Sequence, residues 1–249
     1  MSLEAENSEA TWAILGTAST AKKIARECEK ISVQTEVFKV VSYSVYPGIS
    51  GELARINGLD DSVFTSQKAS ELVYKNSSQK LKELIRFSNC FSIGPATAKA
   101  VKRCFEPRKI TVAHPHTSDG LIAALRNGRL GRVALFSSIK RSDALREYLF
   151  NHSAVFFEPR LYDLGVRKDE AVRFAWFVQE SSLKGVVFTC STAVSAVTEE
   201  ALPSLKSLKV LAMGPRTKKT LEDLGVDALL PQDSKTEFVA LAIKKIGSY

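Results

Sequence analysis

Two short loops with the makings of an anion site occur in this chain, at Ile93-Gly94-Pro95-Ala96-Thr97 and at Met213-Gly214-Pro215-Arg216-Thr217. A residue before proline is pushed out of the α region, so Gly94 and Gly214 suit a helix N-cap and Pro95 and Pro215 the first helical position. The amides that follow, at Ala96-Thr97 and Arg216-Thr217, are then donors without intrahelical partners, and the threonine hydroxyl adds a third polar group. Each loop is a small cradle for a carboxylate or phosphate. Thr97 and Thr217 also read as plain helix-capping residues; a single copy favours that reading, and the recurrence brings anion binding level with it. Thr65-Ser66 and Thr189-Cys190-Ser191 each follow a short apolar run and precede a helical pattern. They fall at strand C-termini, the edge where open α/β sheets bind ligands. Ser66 and Ser191 alone read as ordinary N-caps.

Other chemistry is thinly supported. There is no Gly-x-Gly-x-x-Gly and no Gly-Lys-Ser/Thr loop, so a nucleotide site has no basis. His114-Pro115-His116 lacks a third ligand at a sensible spacing and reads as a turn rather than a metal site. No Gly-x-Ser-x-Gly elbow supports a nucleophilic serine. Cys28, Cys90, Cys104 and Cys190 stand far apart and read as cytosolic thiols. The expected chemistry is hydrogen bonding and positive potential, with no metal and no cofactor.

The elements that must position these loops follow from a repeat. Val63-Phe64-Thr65-Ser66 followed by Gly94-Pro95-Ala96-Thr97 parallels Val187-Phe188-Thr189-Cys190 followed by Gly214-Pro215-Arg216-Thr217. Each copy ends in a proline and polar residues that open an apolar-periodic stretch, at Pro115–Leu121 and Pro231–Phe238. Two copies in 249 residues predict two similar domains rather than a solenoid. Short β-branched runs alternating with helical periodicity predict an α/β fold, two similar lobes each with a parallel sheet flanked by helices. Strands are expected at Ala13–Leu15, Phe38–Tyr43, Val63–Phe64, Phe91–Ile93, Ile110–Val112, Val133–Phe136, Ala154–Phe157, Val186–Phe188, Val210–Met213 and Ala228–Leu230. The second copy has no leading strand and helix, whereas residues 12–30 supply such a pair with no repeat attached. A discontinuous lobe of 1–42 plus 167–249 repairs this, with 48–162 inserted as the second lobe. Extended crossings at 43–47 and 163–166 then join them as a hinge.

A net charge of +8 attracts anions. It does not choose among nucleic acid, an acidic membrane and a polyanionic small molecule. No nucleic-acid-binding motif is visible, no apolar run has the length that a membrane span needs, and residues 1–10 read as a frayed acidic tail with no leader. A small-molecule ligand is expected, bound either by an enzyme or by a non-catalytic two-lobed clamp.

The order of Phe64-Thr65-Ser66, Ile93-Gly94-Pro95-Ala96-Thr97-Ala98, Ser118-Asp119-Gly120-Leu121, Val133-Ala134-Leu135-Phe136, Tyr162, Val187-Phe188-Thr189 and Gly214-Pro215-x-Thr217 resembles the uroporphyrinogen-III synthase family. The resemblance runs from about Ala13 to Ile243. It implies a cofactor-independent lyase of tetrapyrrole and heme biosynthesis, built of two lobes with one inserted in the other; a cytoplasmic monomer is expected beside it. Such enzymes close the linear tetrapyrrole hydroxymethylbilane with inversion of its last pyrrole and loss of water, holding it in the cleft between lobes. Tyr162 is then the donor to the departing hydroxyl, although an aromatic residue at a strand edge also simply packs. Thr17, Thr65, Ser66, Gly94, Ala96, Thr97, Ser118, Thr189, Ser191, Gly214 and Thr217 become substrate contacts. The chain departs from the pattern in three places. Leu15-Gly16-Thr17-Ala18-Ser19 has no arginine where many members have Thr-Arg, Cys190 stands where serine is usual, and the stretch after Phe136 lacks an Arg-Gly. Lys140, Arg141 and Arg216 are the substitutes expected to reach carboxylates.

Overall fold

The computed structural model describes residues 11–126, 130–139, 143–180 and 183–247. In chain order the elements are β1 (Thr11–Thr17), α1 (Ala18–Glu29), β2 (Thr35–Val45), α2 (Ile49–Ala54), β3 (Asp61–Phe64), α3 (Gln67–Asn76), α4 (Gln79–Phe87), β4 (Asn89–Ser92), α5 (Pro95–Phe105) and β5 (Lys109–Val112). There follow α6 (Ser118–Leu125), β6 (Leu130–Phe136), α7 (Asp143–His152), β7 (Ser153–Phe157), β8 (Tyr162–Val166), α8 (Lys168–Glu180), β9 (Leu183–Phe188), α9 (Ser191–Val194), α10 (Leu202–Ser207), β10 (Lys209–Ala212), α11 (Pro215–Glu222) and α12 (Thr236–Gly247). They form two compact units, one made of the residues up to Ser42 together with those from Gly165 on, the other of Tyr43–Leu164. Each contains a five-stranded sheet flanked by helices, which is the α/β class that the alternating pattern predicts.

In the unit of Tyr43–Leu164 the strand order is β5-β4-β3-β6-β7, with every neighbouring pair parallel. The run Val133-Ala134-Leu135-Phe136 is apolar at every position because β6 is buried on both faces. Val133 and Leu135 join Val63, Leu121, Leu125, Leu145 and Leu149 on one side. Ala134 and Phe136 join Phe64, Leu72, Val73, Ile85, Val101 and Phe105 on the other. The Phe64 and Phe136 rings stack at 4.8 Å between centroids. Apolar residues at helical spacing supply the cover: the expected stripe Ala69, Leu72 and Val73 of α3 is buried, and of the expected stripe Ala144, Leu145, Tyr148 and Leu149 of α7 the two leucines are buried while Ala144 is exposed.

The other unit orders its strands β10-β9-β1-β2-β8. Trp12, Ile14 and Val187 of its sheet pack on Ala21, Ile24 and Cys28 of α1 and on Val239, Ala240 and Ile243 of α12. Two expectations need correction here. Residues 228–230 do not make a strand; Leu229 forms a single parallel bridge to Leu211, donating to Val210 O (2.8 Å) and accepting from Ala212 N (2.9 Å). Leu229 and Leu230 are both about half exposed and Pro231, with no N–H, ends the ladder at once. Residues 163–166, expected only as a crossing, belong with Tyr162 to the edge strand β8. Arg167 N donates to Val40 O (2.8 Å) and Ser42 Oγ to Gly165 O (3.5 Å), so the numbering rises on one strand as it falls on the other. Its sequence, Tyr-Asp-Leu-Gly-Val, carries too few β-branched residues to announce a strand.

The two sheets match once the chain order is rotated. Central β9 and β3 are each flanked on one side by the strand that precedes a Gly-Pro-x-Thr loop (β10, β4) and on the other by β1 and β6. Thr189 N donates to Leu15 O (3.0 Å) just as Thr65 N donates to Phe136 O (3.2 Å). The unpaired pair at residues 12–30 is therefore the counterpart of β6 and α7. It stands at the start of the chain instead of after the segment equivalent to β5.

Candidate functional site

Both sheets have a topological switch point, where the connections stop adding strands on one side and resume on the other. In the Tyr43–Leu164 unit the chain runs β3, β4, β5 outward and returns to place β6 on the far side of β3. The crevice at the C-terminal ends of β3 and β6 is where such sheets bind ligands. Three predicted or neighbouring polar side chains converge there. Ser66 follows β3, Ser138 follows β6, and Tyr162 begins β8.

Ser66 is the N-cap of α3, its Oγ accepting from Ala69 N at 3.0 Å. The same oxygen lies 2.8 Å from the Tyr162 hydroxyl. Tyr162 is fixed from several sides. Its ring belongs to the core with only 3% exposure, its carbonyl accepts from Ile139 N at 2.8 Å, and Tyr43 meets it edge-on at 5.6 Å between centroids. Burial pushes the phenol above the ordinary tyrosine value; the Ser66 hydroxyl pulls it part of the way back, Tyr43 raises it again and the Ser138 hydroxyl lowers it. Tyr43 is 40% exposed and carries Lys68 Nζ 5.4 Å above its ring. Sequence reasoning missed Tyr43, Lys68 and Ser138. The available signals were Lys68 two residues after Ser66, in the first turn of α3, and an aromatic residue at the end of an expected strand.

Along the same edge, Gly94 caps α5 with extended backbone and no side-chain capping bond, and Pro95 takes the first helical position. The first intrahelical bond is Ala98 N to Gly94 O (3.0 Å), so helix geometry leaves the Ala96 and Thr97 amides pointing out of the N-terminus. Ala96 is exposed and the Thr97 side chain is buried in the first turn. Next to this loop, His116 packs against Gly94 and its Nδ1 donates to Ala113 O at 2.7 Å, since a carbonyl only accepts. Ser118 is the first residue of α6, capped not by itself but by Thr117, whose hydroxyl accepts from Gly120 N at 3.2 Å. Thr65 is half-buried beside Ser66. Among the described residues no three His, Cys, Asp or Glu side chains gather as a metal would require.

In the other unit the switch point falls between β1 and β9. Thr17 ends β1 and caps α1, accepting from Thr20 N at 3.3 Å. The Thr189 hydroxyl lies over Gly16, where any Cβ would overlap it. Cys190, not Ser191, is the N-cap of the short α9 and makes no capping bond; it occupies the place that Ser66 holds in the Tyr43–Leu164 unit. Burial pushes its thiol up, and the Ala193 amide and Thr189 hydroxyl lower it in part. Gly214, Pro215, Arg216 and Thr217 repeat the α5 arrangement at α11, with Lys218 N donating to Gly214 O (3.0 Å), Arg216 exposed and Thr217 buried. Lys140 and Arg141 lie outside the described residues.

The fold and these edges define a two-unit α/β protein with matching Gly-Pro-x-Thr helix starts in both units and a phenol held at one switch point. The chain matches the family described as uroporphyrinogen-III synthase HemD over residues 23–238, and it belongs to that family. It is 25% identical over 182 residues, 70% of its own length and 74% of the relative's, to a protein of Archaeoglobus fulgidus provisionally named a uroporphyrinogen-III synthase. Among solved structures it resembles the uroporphyrinogen III synthase of Thermus thermophilus, in a mutant form, with a TM-score of 0.70 and 18% identity, covering 96% of this chain and 98% of that one. It also resembles the uroporphyrinogen-III synthetase of Helicobacter pylori (TM-score 0.56, 17% identity, 86% and 93% coverage). At such identities the two structures attest the fold. No helix among the described residues is long and apolar enough to cross a membrane.

Proposed function

We propose that this chain is a cyclising lyase that closes hydroxymethylbilane to uroporphyrinogen III, inverting the last pyrrole ring and releasing water. The observation that carries the reading is the family match over residues 23–238, which takes in the repeated loops of both units. The substrate is a polycarboxylate, and a chain of net charge +8 with open first-turn amides at two helices suits it. In this reading the amides at Ala96, Thr97, Arg216 and Thr217 bind carboxylates, with the side chains of Thr17, Thr65, Thr97, Ser118, Thr189, Ser191 and Thr217 as further hydrogen-bonding groups. Lys140, Arg141 and the exposed Arg216 supply charge. Tyr162 provides the proton that converts the departing hydroxyl into water, and most of the remaining rate comes from holding the chain ends of the substrate in register. We take the enzyme to act as a cytoplasmic monomer, because one chain carries both sets of loops.

The test is direct. Hydroxymethylbilane left alone closes without inversion to the type I isomer, so the purified protein is supplied with the bilane and the product isomers are separated. Type III product formed in proportion to enzyme is expected; type I alone at high enzyme concentration refutes the reading.

A further inference from the structure

We infer that Ser66, rather than Tyr162, is the group that touches the departing hydroxyl, and that Tyr162 delivers its proton through it. The inference rests on the synthase reading above and sharpens it. Tyr162 has 3% of its surface exposed and its ring lies in the core, whereas Ser66 is only half-buried at the switch-point edge. The Ser66 oxygen receives Ala69 N–H at 3.0 Å, a bond that only an amide can donate. Its one other side-chain partner among the described residues is the Tyr162 hydroxyl at 2.8 Å. With Tyr162 donating, both lone pairs of Ser66 Oγ are engaged and its own proton has no acceptor among those residues. That proton is then available to a substrate oxygen.

The relay balances. As the carbon–oxygen bond of the hydroxymethyl group breaks, its electron pair leaves on oxygen. Ser66 Oγ–H passes to that oxygen, giving water, and Tyr162 O–H replaces it on Ser66. The carbon is left cationic and Tyr162 is left a phenolate beside the Ser66 and Ser138 hydroxyls. The ring that attacks the carbon later loses a proton, which returns to the phenolate. The N-terminus of α3, acting through Ala69 N–H on Ser66, favours negative charge at this point in the chain of bonds.

Ser66 also caps α3, so the variants must separate capping from proton transfer. Asparagine caps a helix as well as serine but has no hydroxyl proton to relay; threonine keeps both abilities. Steady-state rates of type III formation, corrected for spontaneous closure, are measured for the parent, Ser66→Asn, Ser66→Thr, Tyr162→Phe and the Ser66→Asn/Tyr162→Phe double variant. Melting curves report the fold, and a proton inventory in mixed H2O and D2O is run on the parent. We expect Ser66→Asn to lose about 10²-fold or more in kcat at near-parent melting temperature, as loss of a general acid does. Ser66→Thr should recover activity well above Ser66→Asn. The double variant should be no slower than the slower single, because both residues serve one proton path. The parent inventory should bow, as two protons in flight require. Ser66→Asn turning over near the parent rate, multiplicative losses in the double variant, or a linear inventory would each overturn the relay while leaving the synthase reading intact. A parent that makes no type III isomer would overturn both.

Discussion

Placing a serine at Gly214 separates an anion cradle from a mere helix start, because the two roles respond with opposite signs. Gly214 has extended backbone (φ −158°, ψ 167°), which any residue adopts, and a Cβ built there meets nothing within 4 Å. Gly214→Ser should therefore be accommodated without strain, and its hydroxyl should accept from the amide of Arg216 or Thr217. Serine is a better N-cap than glycine by a few tenths of a kcal/mol. For a chain of this length that amounts to a rise of about 1 °C in melting temperature. If the substrate carboxylate uses the same amide, the cap now competes with it. A hydrogen bond to a charged group is worth about 1.5–3 kcal/mol, so the low end predicts a KM roughly tenfold higher. Gly94→Ser repeats the experiment at α5, where the built Cβ stands 3.7 Å from the His116 side chain, an ordinary contact. The assay is the KM for hydroxymethylbilane beside a thermal melt of the same preparation. Variants that melt higher yet keep the parent KM would show that the Gly-Pro-x-Thr loops only begin helices.

Gly120→Ala should destabilise by about 1–3 kcal/mol, because the new Cβ would overlap the Pro115 carbonyl oxygen and stand 2.9 Å from its carbon. A melt within about 1 °C of the parent would contradict that packing. Alkaline pH should weaken the fold in a defined window. Burial pushes the Cys28 thiol from 9.0 to about 12 and the Cys90 thiol from 9.0 to about 11. The unfolded chain then loses these protons first, so their contribution is fully present below pH 9 and is lost as pH rises through 11 and 12. Urea midpoints should fall across that range, less steeply in Cys90→Ala, and equal slopes would remove Cys90 from the account. The Tyr162 phenol, raised by burial, keeps its proton throughout the neutral range, so its deprotonation should produce no basic limb in the pH–rate profile below the ordinary tyrosine value. A limb at neutral pH that disappears in Tyr162→Phe would refute this.

Most of the fold was legible because its strands are buried on both faces and so read as unbroken apolar runs, Val133–Phe136 and Val186–Phe188 above all. Pro95 and Pro215 marked helix starts for the same reason that they sit there, a missing N–H where none is needed. What failed was weak local signal overruled by pairing. Tyr162–Val166 becomes a strand because β2 offers it an edge, and Leu229 stops at one bridge because proline follows. The site was less legible than the fold. Ser66, Tyr162 and Ser138 are distant in sequence, and only the placement of β6 beside β3 brings the two serines to one phenol.

Matching the two sheets also shows where they stopped being alike. Rotating the chain order puts Leu15 opposite Phe136, so Thr17 answers to Ser138, and Cys190 answers to Ser66. In one unit the two serines face a phenol; in the other, Thr17 turns back to cap its own helix and Cys190 holds no capping bond. Among the described residues neither Thr17 nor Cys190 is hydrogen-bonded to a tyrosine hydroxyl. The Gly-Pro-x-Thr loops, by contrast, are alike except at Ala96 and Arg216, with glycine cap, proline, open amides and buried threonine at both α5 and α11. A duplicated grip with an unduplicated proton path is what a substrate bearing many carboxylates but a single leaving hydroxyl requires. Under the proposed function it assigns carboxylate binding to both units and the departure of water to the Tyr43–Leu164 unit alone.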